Sequence, residues 1–240
     1  MLSIGGSDPT GESGIQADIR AMTQLGAHPT AVITAVTVQS ERSFKRLGAV
    51  GEETVSEQLR CLADHPLRAI KSGLLPTDMV VSTVARDARA RRVPLVAAPV
   101  LAVPGGGFQA DSAALRAYRT DLLPVATVLV CDLGEAEALV GVRLDRASAV
   151  RALVEFGVEW VVLRDSGPEG EGEDMVSNSQ RWYLVRGAHH APTRSSTCLL
   201  SAALTARVAQ GHAVPEAAGW ARQQLTTLLD GSSSSGGPAR

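Results

Sequence analysis

Residues 4–18 read Ile-Gly-Gly-Ser-Asp-Pro-Thr-Gly-Glu-Ser-Gly-Ile-Gln-Ala-Asp. Glycines at this density let a backbone come close to a ligand, and a helix opening near Ser13 offers bare N–H donors. Asp8, Gln16 and Asp18 add directional polar groups to the same stretch. A second cluster lies near the other end, where Ser195-Ser196-Thr197 precede Cys198. Ser and Thr are good N-caps, so a helix begins well there. A thiol at a helix start has a lowered pKa, and its thiolate can accept a proton. His189-His190 brings two imidazoles together, but no third ligand at a suitable spacing accompanies them, so packing or surface is the better reading. His28, His65 and His212 carry no motif, and Trp160, Trp182 and Trp220 are too scattered for a base-stacking platform.

The elements that position these residues alternate between strand-length apolar runs and helical patterns. Strands are expected at 2–5, 31–38, 69–73, 94–100, 127–132 and 159–164, with a hairpin pairing 174–176 with 182–185. Helices are expected at 13–25, 52–63, 78–91, 110–123, 135–140, 147–156, 196–210 and 214–229. In the first, Ile15, Ile19, Met22 and Leu25 recur at three- and four-residue steps, which marks a buried stripe. Repeated strand–helix units force parallel strands with helices on both faces, and right-handed crossovers make the sheet doubly wound. Ligands in such sheets sit beyond the carboxyl ends of the strands, where nearly every motif here falls. One domain over residues 1–230 follows, with an acidic Gly-rich loop at 166–173 and a disordered Ser/Gly-rich tail at 231–240.

Composition excludes several classes. With 240 residues, 45% hydrophobic and 20% charged, the chain can bury a core. A net charge of −2 supplies no cationic field for a dedicated nucleic-acid binder. Lys45 and Lys71 are the lysines among 23 basic residues, so few remain for phosphates. The apolar runs are too short for a membrane span, and no basic leader with an apolar core precedes Leu2. Cys61, Cys131 and Cys198 are sparse and odd in number, which fits a reducing cytoplasm better than a disulfide framework.

The 4–18 stretch resembles the signature AGSD-x-S-G-G-A-G-I-Q-A-D of the hydroxymethylpyrimidine/phosphomethylpyrimidine kinases of thiamine synthesis, members of the ribokinase-like superfamily. The resemblance runs from about residue 3 to about residue 229. Thr34–Gln39 is similar to the family's TA-x-TAQ strand end, and Ile70–Leu75 to its K-IGML. Ala98-Pro99-Val100 stands for DPV, Asp132–Glu137 for NLPEAE, and Arg194–Ala203 for HGTGCTLSSA. The resemblance implies a ribokinase-like three-layer α/β/α fold with a mostly parallel central sheet, ATP and Mg²⁺ as cofactors, and a homodimer.

By the same resemblance Gly11, Asp18, Gln39, Gly73, Leu74 and Val100 surround an aminopyrimidine, and Cys198 is the catalytic base. A Gln amide and a carboxylate complement the ring nitrogens and exocyclic amine, while Val and Leu cover the flat faces. Glu12 and Ser13 replace Gly and Ala in the loop, which sets bulk and negative charge near a substrate phosphate. The nucleotide half departs further. Asp132 and Glu135 face Mg²⁺, but Ala98 replaces the Asp of DPV. Arg164 replaces the nucleotide-binding Lys, and Asp165-Ser166 replace two glycines. Ser195, Ser196 and Thr197 stand in the phosphoryl cradle; a positive φ there would cost about 1–2 kcal/mol. Two readings therefore stand side by side: an ATP-dependent kinase of the pyrimidine hydroxymethyl or its phosphate, and a catalytically silent kinase-fold protein that binds a pyrimidine-like molecule. A pyridoxal-type kinase is the third.

Overall fold

The computed structural model describes residues 1–40, 43–103, 106–165, 172–187 and 194–233. Nine strands form one sheet: β1 (Leu2–Ser7), β2 (Thr30–Ser40), β3 (Ser43–Ala49), β4 (Ile70–Ser72), β5 (Leu95–Ala97), β6 (Val128–Cys131), β7 (Trp160–Leu163), β8 (Glu173–Ser177) and β9 (Trp182–Arg186). Their order is β3-β2-β1-β4-β5-β6-β7-β8-β9. The six central strands, β2 to β7 in that order, run parallel. β3 pairs antiparallel with β2 at one edge, and β8 and β9 add antiparallel strands at the other. The chain leaves β1 toward β2 and later returns to the far side of β1 as β4. The order therefore reverses between β1 and β4, which opens a crevice at the strand ends.

Eight helices are described: α1 (Gly14–Gln24), α2 (Glu52–Cys61), α3 (Asp78–Arg91), α4 (Ser112–Ala117), α5 (Leu133–Val140), α6 (Arg146–Glu155), α7 (Arg194–Ala209) and α8 (Val214–Ser233). Side chains alternate across the strands and feed two separate cores. Leu95, Ala97, Leu129, Cys131, Val161 and Leu163 face the layer that holds α2 to α6. Val96, Val128, Val130 and Val162 face α1, α7 and α8. The expected three-layer α/β/α architecture is thus present.

The differences are local. β3 was not expected; its sequence Ser-Phe-Lys-Arg-Leu-Gly-Ala is too polar for an alternating pattern, yet an edge strand tolerates charge on its exposed side. The helix expected over 110–123 is broken into α4, a π-helical turn over Tyr118–Leu122 and a short 3₁₀ turn over Leu123–Val125, where Pro124 supplies no N–H. The hairpin expected near 174–185 is β8–β9. α8 runs to Ser233, past the expected start of the tail at 231, and residues 234–240 lie outside the described residues. So do residues 166–171 of the acidic loop and His189-His190. Among the described residues no helix is long and apolar enough to cross a membrane.

Leu129 sits fully buried on the central strand β6. Truncation leaves a cavity that packed neighbours cannot close, so Leu129→Ala is expected to lower stability by about 3 kcal/mol in urea unfolding.

Candidate active site

A cavity of about 750 Å³ opens at the carboxyl ends of β1, β2, β4, β5, β6 and β7. Its β1 side is the glycine loop. Asp8 is buried and organises that loop: Oδ1 accepts from the Thr10 N–H and hydroxyl, and Oδ2 from the Ser13 N–H and hydroxyl, at 2.7 to 2.9 Å. Burial would raise its pKa, but these donors and Gln39 outweigh it, and Asp8 titrates below the usual carboxylate value. Gln16 is a staple of the loop rather than a ligand. Its Oε1 accepts the Asp8 N–H at 2.9 Å and its Nε2 donates to Ser7 Oγ at 2.7 Å. Gly14 is required by geometry: at φ +63° a Cβ would lie 2.3 Å from the Gly6 carbonyl oxygen.

The residues assigned to the ring converge in part. Asp18, Gln39, Gly73, Leu74 and Val100 line the cavity, joined by Thr37, Phe44 of β3 and Leu101. Gly6 exists for Leu74, whose Cδ2 would lie 2.9 Å from a Cβ there. Gly11 is the exception. It does not line the cavity, and its carbonyl accepts from Arg20 Nη1 at 2.7 Å on the helix side of the loop. Glu12 is exposed and likewise outside the lining.

Asp18 is not a free acceptor. Its Oδ1 takes the Lys71 ammonium at 2.6 Å and its Oδ2 takes the Ser3 hydroxyl at 2.7 Å. Lys71 is 1% exposed and lies in the middle of β4, between Ile70 and Ser72. Strand alternation aims both Ser3 and Lys71 at the α1–α7 face, where Asp18 meets them. Burial alone would lower the ammonium, but the Asp18 carboxylate and Cys198 more than reverse it, so Lys71 titrates above its ordinary value. In the sequence Lys71 has no role of its own: it stands there as one of two lysines and within the Ile70–Leu75 match. The available signal was a lysine at the centre of a short strand flanked by Ala69 and Ile70.

Cys198 lies on the first turns of α7, half-buried at the cavity wall, with the Gly14 N–H donating to its sulfur. The expected lowering of its thiol is corrected: burial pushes it above the ordinary value, Lys71 pulls it down, and Asp18 and Asp8 push it up. Cys198 is the fifth residue of α7 and so sits past the bare N–H groups that lower a thiol at a helix start. The strain expected at Ser195–Thr197 is absent too. No described residue there has positive φ, because α7 already begins at Arg194. Ser196 and Thr197 line the cavity, while Ser195 is buried in the helix and does not.

Arg164 closes the far end. Leu163 faces the other core, so the next residue points at α7. The 6%-exposed guanidinium donates from Nη1 to Thr197 Oγ1 and from Nη2 to Ser196 Oγ at 3.3 Å. Its buried Nε has no hydrogen-bond partner among the described residues. Burial holds Arg164 below its ordinary value, against the pull of Asp174. Asp132 and Glu135 form a capping box on α5: the Glu135 N–H donates to Asp132 Oδ1 at 2.8 Å, and the Asp132 N–H to Glu135 Oε2 at 3.0 Å. Both line the cavity. Burial and the Asp132 charge raise Glu135 to about 8.

The donor chemistry fits a hydrated oxygen-seeking cation: two close carboxyl groups, one of them raised by burial and by the charge of the other. It supplies two protein ligands rather than three, since Ala98 lines the wall where the resemblance puts a third carboxylate, and no group of three metal-ligating side chains occurs among the described residues. The orphaned Arg164 Nε and the α7 hydroxyls fit a phosphate. Breaking a buried pair leaves a lone charge. Asp18→Asn is therefore expected to lower stability by about 3 kcal/mol, and adding Lys71→Met should recover most of that loss in thermal unfolding.

A family model described as phosphomethylpyrimidine kinase matches residues 8–238. A hydroxymethylpyrimidine/phosphomethylpyrimidine kinase of Streptomyces coelicolor is 33% identical over 236 residues, covering 95% of this chain and 88% of that protein. The crystal structure of a Clostridium difficile phosphomethylpyrimidine kinase superposes with a TM-score of 0.81 at 24% identity, covering 95% and 98%. An ADP complex of Bacillus subtilis pyridoxal kinase gives 0.82 at 26% identity, covering 92% and 87%. With a continuous match over nearly its whole length, the chain belongs to the phosphomethylpyrimidine kinase family.

Proposed function

We propose that the protein transfers the γ-phosphoryl group of ATP to the hydroxymethyl group of a hydroxymethylpyrimidine or to its monophosphate. The observation that carries this reading is the single cavity that holds Gln39 at one end, Arg164 at the other, and Cys198 between them. The relatives carry the names of kinases for this substrate, and pyridoxal kinase neighbours include complexes with ADP and with AMP-PCP.

Leu74, Val100 and Leu101 offer flat apolar cover for a heteroaromatic ring, and the Gln39 amide offers a donor and an acceptor at its edge. Arg164, Ser196 and Thr197 face the phosphates; the guanidinium exchanges hydroxyl partners for phosphate oxygens of opposite charge. Asp132 and Glu135 would hold Mg²⁺ through water, and bound Mg²⁺ would neutralise phosphate oxygens. The substrate hydroxyl oxygen forms the new bond to phosphorus while the bridge to the β-phosphate breaks, and ADP leaves with that electron pair. The hydroxyl proton passes to the Cys198 thiolate. Positioning and electrostatics do most of the work in such transfers.

A second reading, ring binding without transfer, is favoured by Ala98 at the metal side and by the engagement of Arg164 with Ser196 and Thr197. Release of ADP from MgATP, dependent on hydroxymethylpyrimidine, decides between them. Background ADP release at saturating substrate, with folded protein, would overturn the kinase reading. Turnover with pyridoxal but not the pyrimidine would move the substrate to the pyridoxal branch. Because the Cys198 thiol titrates above its ordinary value, kcat should rise by about tenfold per pH unit below that point, as the thiolate fraction grows. Cys198→Ser should reduce kcat by about a hundredfold or more and remove this slope in steady-state assays across pH.

A further inference from the structure

Lys71 does no work in the reaction above, yet it is a full positive charge at the floor of the cavity. Stability does not account for it. A buried ion pair is often no more stabilising than a well-packed apolar pair of the same volume. The position is also set with care. Asp18 Oδ1 holds the ammonium at 2.6 Å, and the Ser3 hydroxyl fixes the other carboxylate oxygen at 2.7 Å. Three elements thereby clamp one charge: β1 through Ser3, α1 through Asp18 and β4 through Lys71 itself.

That charge faces a sulfur. Cys198 and Lys71 line the same cavity, α7 packs directly on β4, and Lys71 and Cys198 interact electrostatically. The charged groups facing Cys198 are Lys71 from β4, Asp18 from α1 and Asp8 from the glycine loop, and Lys71 acts most strongly among them. Arg164 is engaged with Thr197 and Ser196, the residues just before it. The Gly14 N–H completes the surroundings of the sulfur. Each oxygen of the buried Asp18 carboxylate already accepts one bond, from Lys71 and from Ser3, which makes it a good anchor for an ammonium.

We propose that Lys71 is a positioning residue for Cys198: clamped by Asp18 and Ser3, its ammonium is the counter-charge that keeps the sulfur available as a proton acceptor. Asp18 then acts through Lys71 rather than by holding the ring. The inference rests on the reading of Cys198 as the base, but it can be tested without turnover.

Alkylation of the Cys198-containing peptide by iodoacetamide, followed by mass spectrometry from pH 6 to 10, reads the thiolate directly, because the thiolate is the nucleophile. Lys71→Met should raise the pH midpoint by about one unit and slow alkylation at pH 8 about tenfold, while Lys71→Arg should stay near the parent profile. If the single variant does not fold, Asp18→Asn with Lys71→Met leaves no lone charge and should show a smaller rise. An unchanged midpoint in folded Lys71→Met relative to the parent, or in the double variant relative to Asp18→Asn alone, overturns the proposal. The profile uses no ATP, so it can fail while the Cys198→Ser kinetics succeed, and the reverse.

Discussion

A lysine ammonium in the middle of a sheet survives only if an anion meets it there. The Asp18–Lys71 pair is that constraint, and much of the site depends on it. It forces α1 to pack with Asp18 toward β4, although Asp18 lies among apolar neighbours such as Ala17, Ala21 and Met22. It spans the gap between β1 and β4 where the strand order reverses, so it ties together the two halves of the sheet from which the crevice opens. With α1 held in this register, Gly14 lies against Gly6 and its N–H reaches the Cys198 sulfur.

The two ends of the cavity solve opposite problems. The glycine-loop end is built by backbone economy: Asp8 takes up four donors from Thr10 and Ser13, and glycine at positions 6 and 14 admits contacts that a Cβ would block. The Arg164 end is built by charge in reserve. Arg164 is buried with an unpartnered Nε, and Glu135 is pushed to about 8 beside Asp132. Each of these groups is poorly satisfied alone and better satisfied by a ligand of opposite sign. Thr197, where the resemblance puts a glycine, adds a hydroxyl that together with Ser196 occupies the guanidinium.

Much of the architecture was legible along the chain because strand and helix periods are local properties. Alternating strands such as Val128–Cys131 divide their side chains between two cores, and that division follows from the pleat alone. Where local pattern failed, a tertiary or edge effect had overridden it. β3 is polar because it lies at the edge of the sheet, and the helix near 110–123 changes its winding at Tyr118, whose buried hydroxyl reaches the Leu75 carbonyl at 3.5 Å. Among site residues, Gln39, Val100, Arg164 and Cys198 were readable from their positions in the motifs and do meet in the cavity, whereas Gly11 and Ser195 hold motif positions that do not line it.

The order of residues by itself determined the alternation of strands and helices, the glycine loop and the family, because each is carried by contiguous runs. It also determined which chemical groups are present: one thiol in a motif, two adjacent carboxylates, an arginine at a strand end. Only the tertiary structure decided what those groups can do. Asp18 and Lys71 are 53 residues apart, and Arg164 and Thr197 are 33 apart, yet each pair is in contact. Burial shifts both Cys198 and Glu135, and the charges of Lys71 and Asp18, distant in the chain, act on Cys198; neither burial nor a distant charge is a property of a local run.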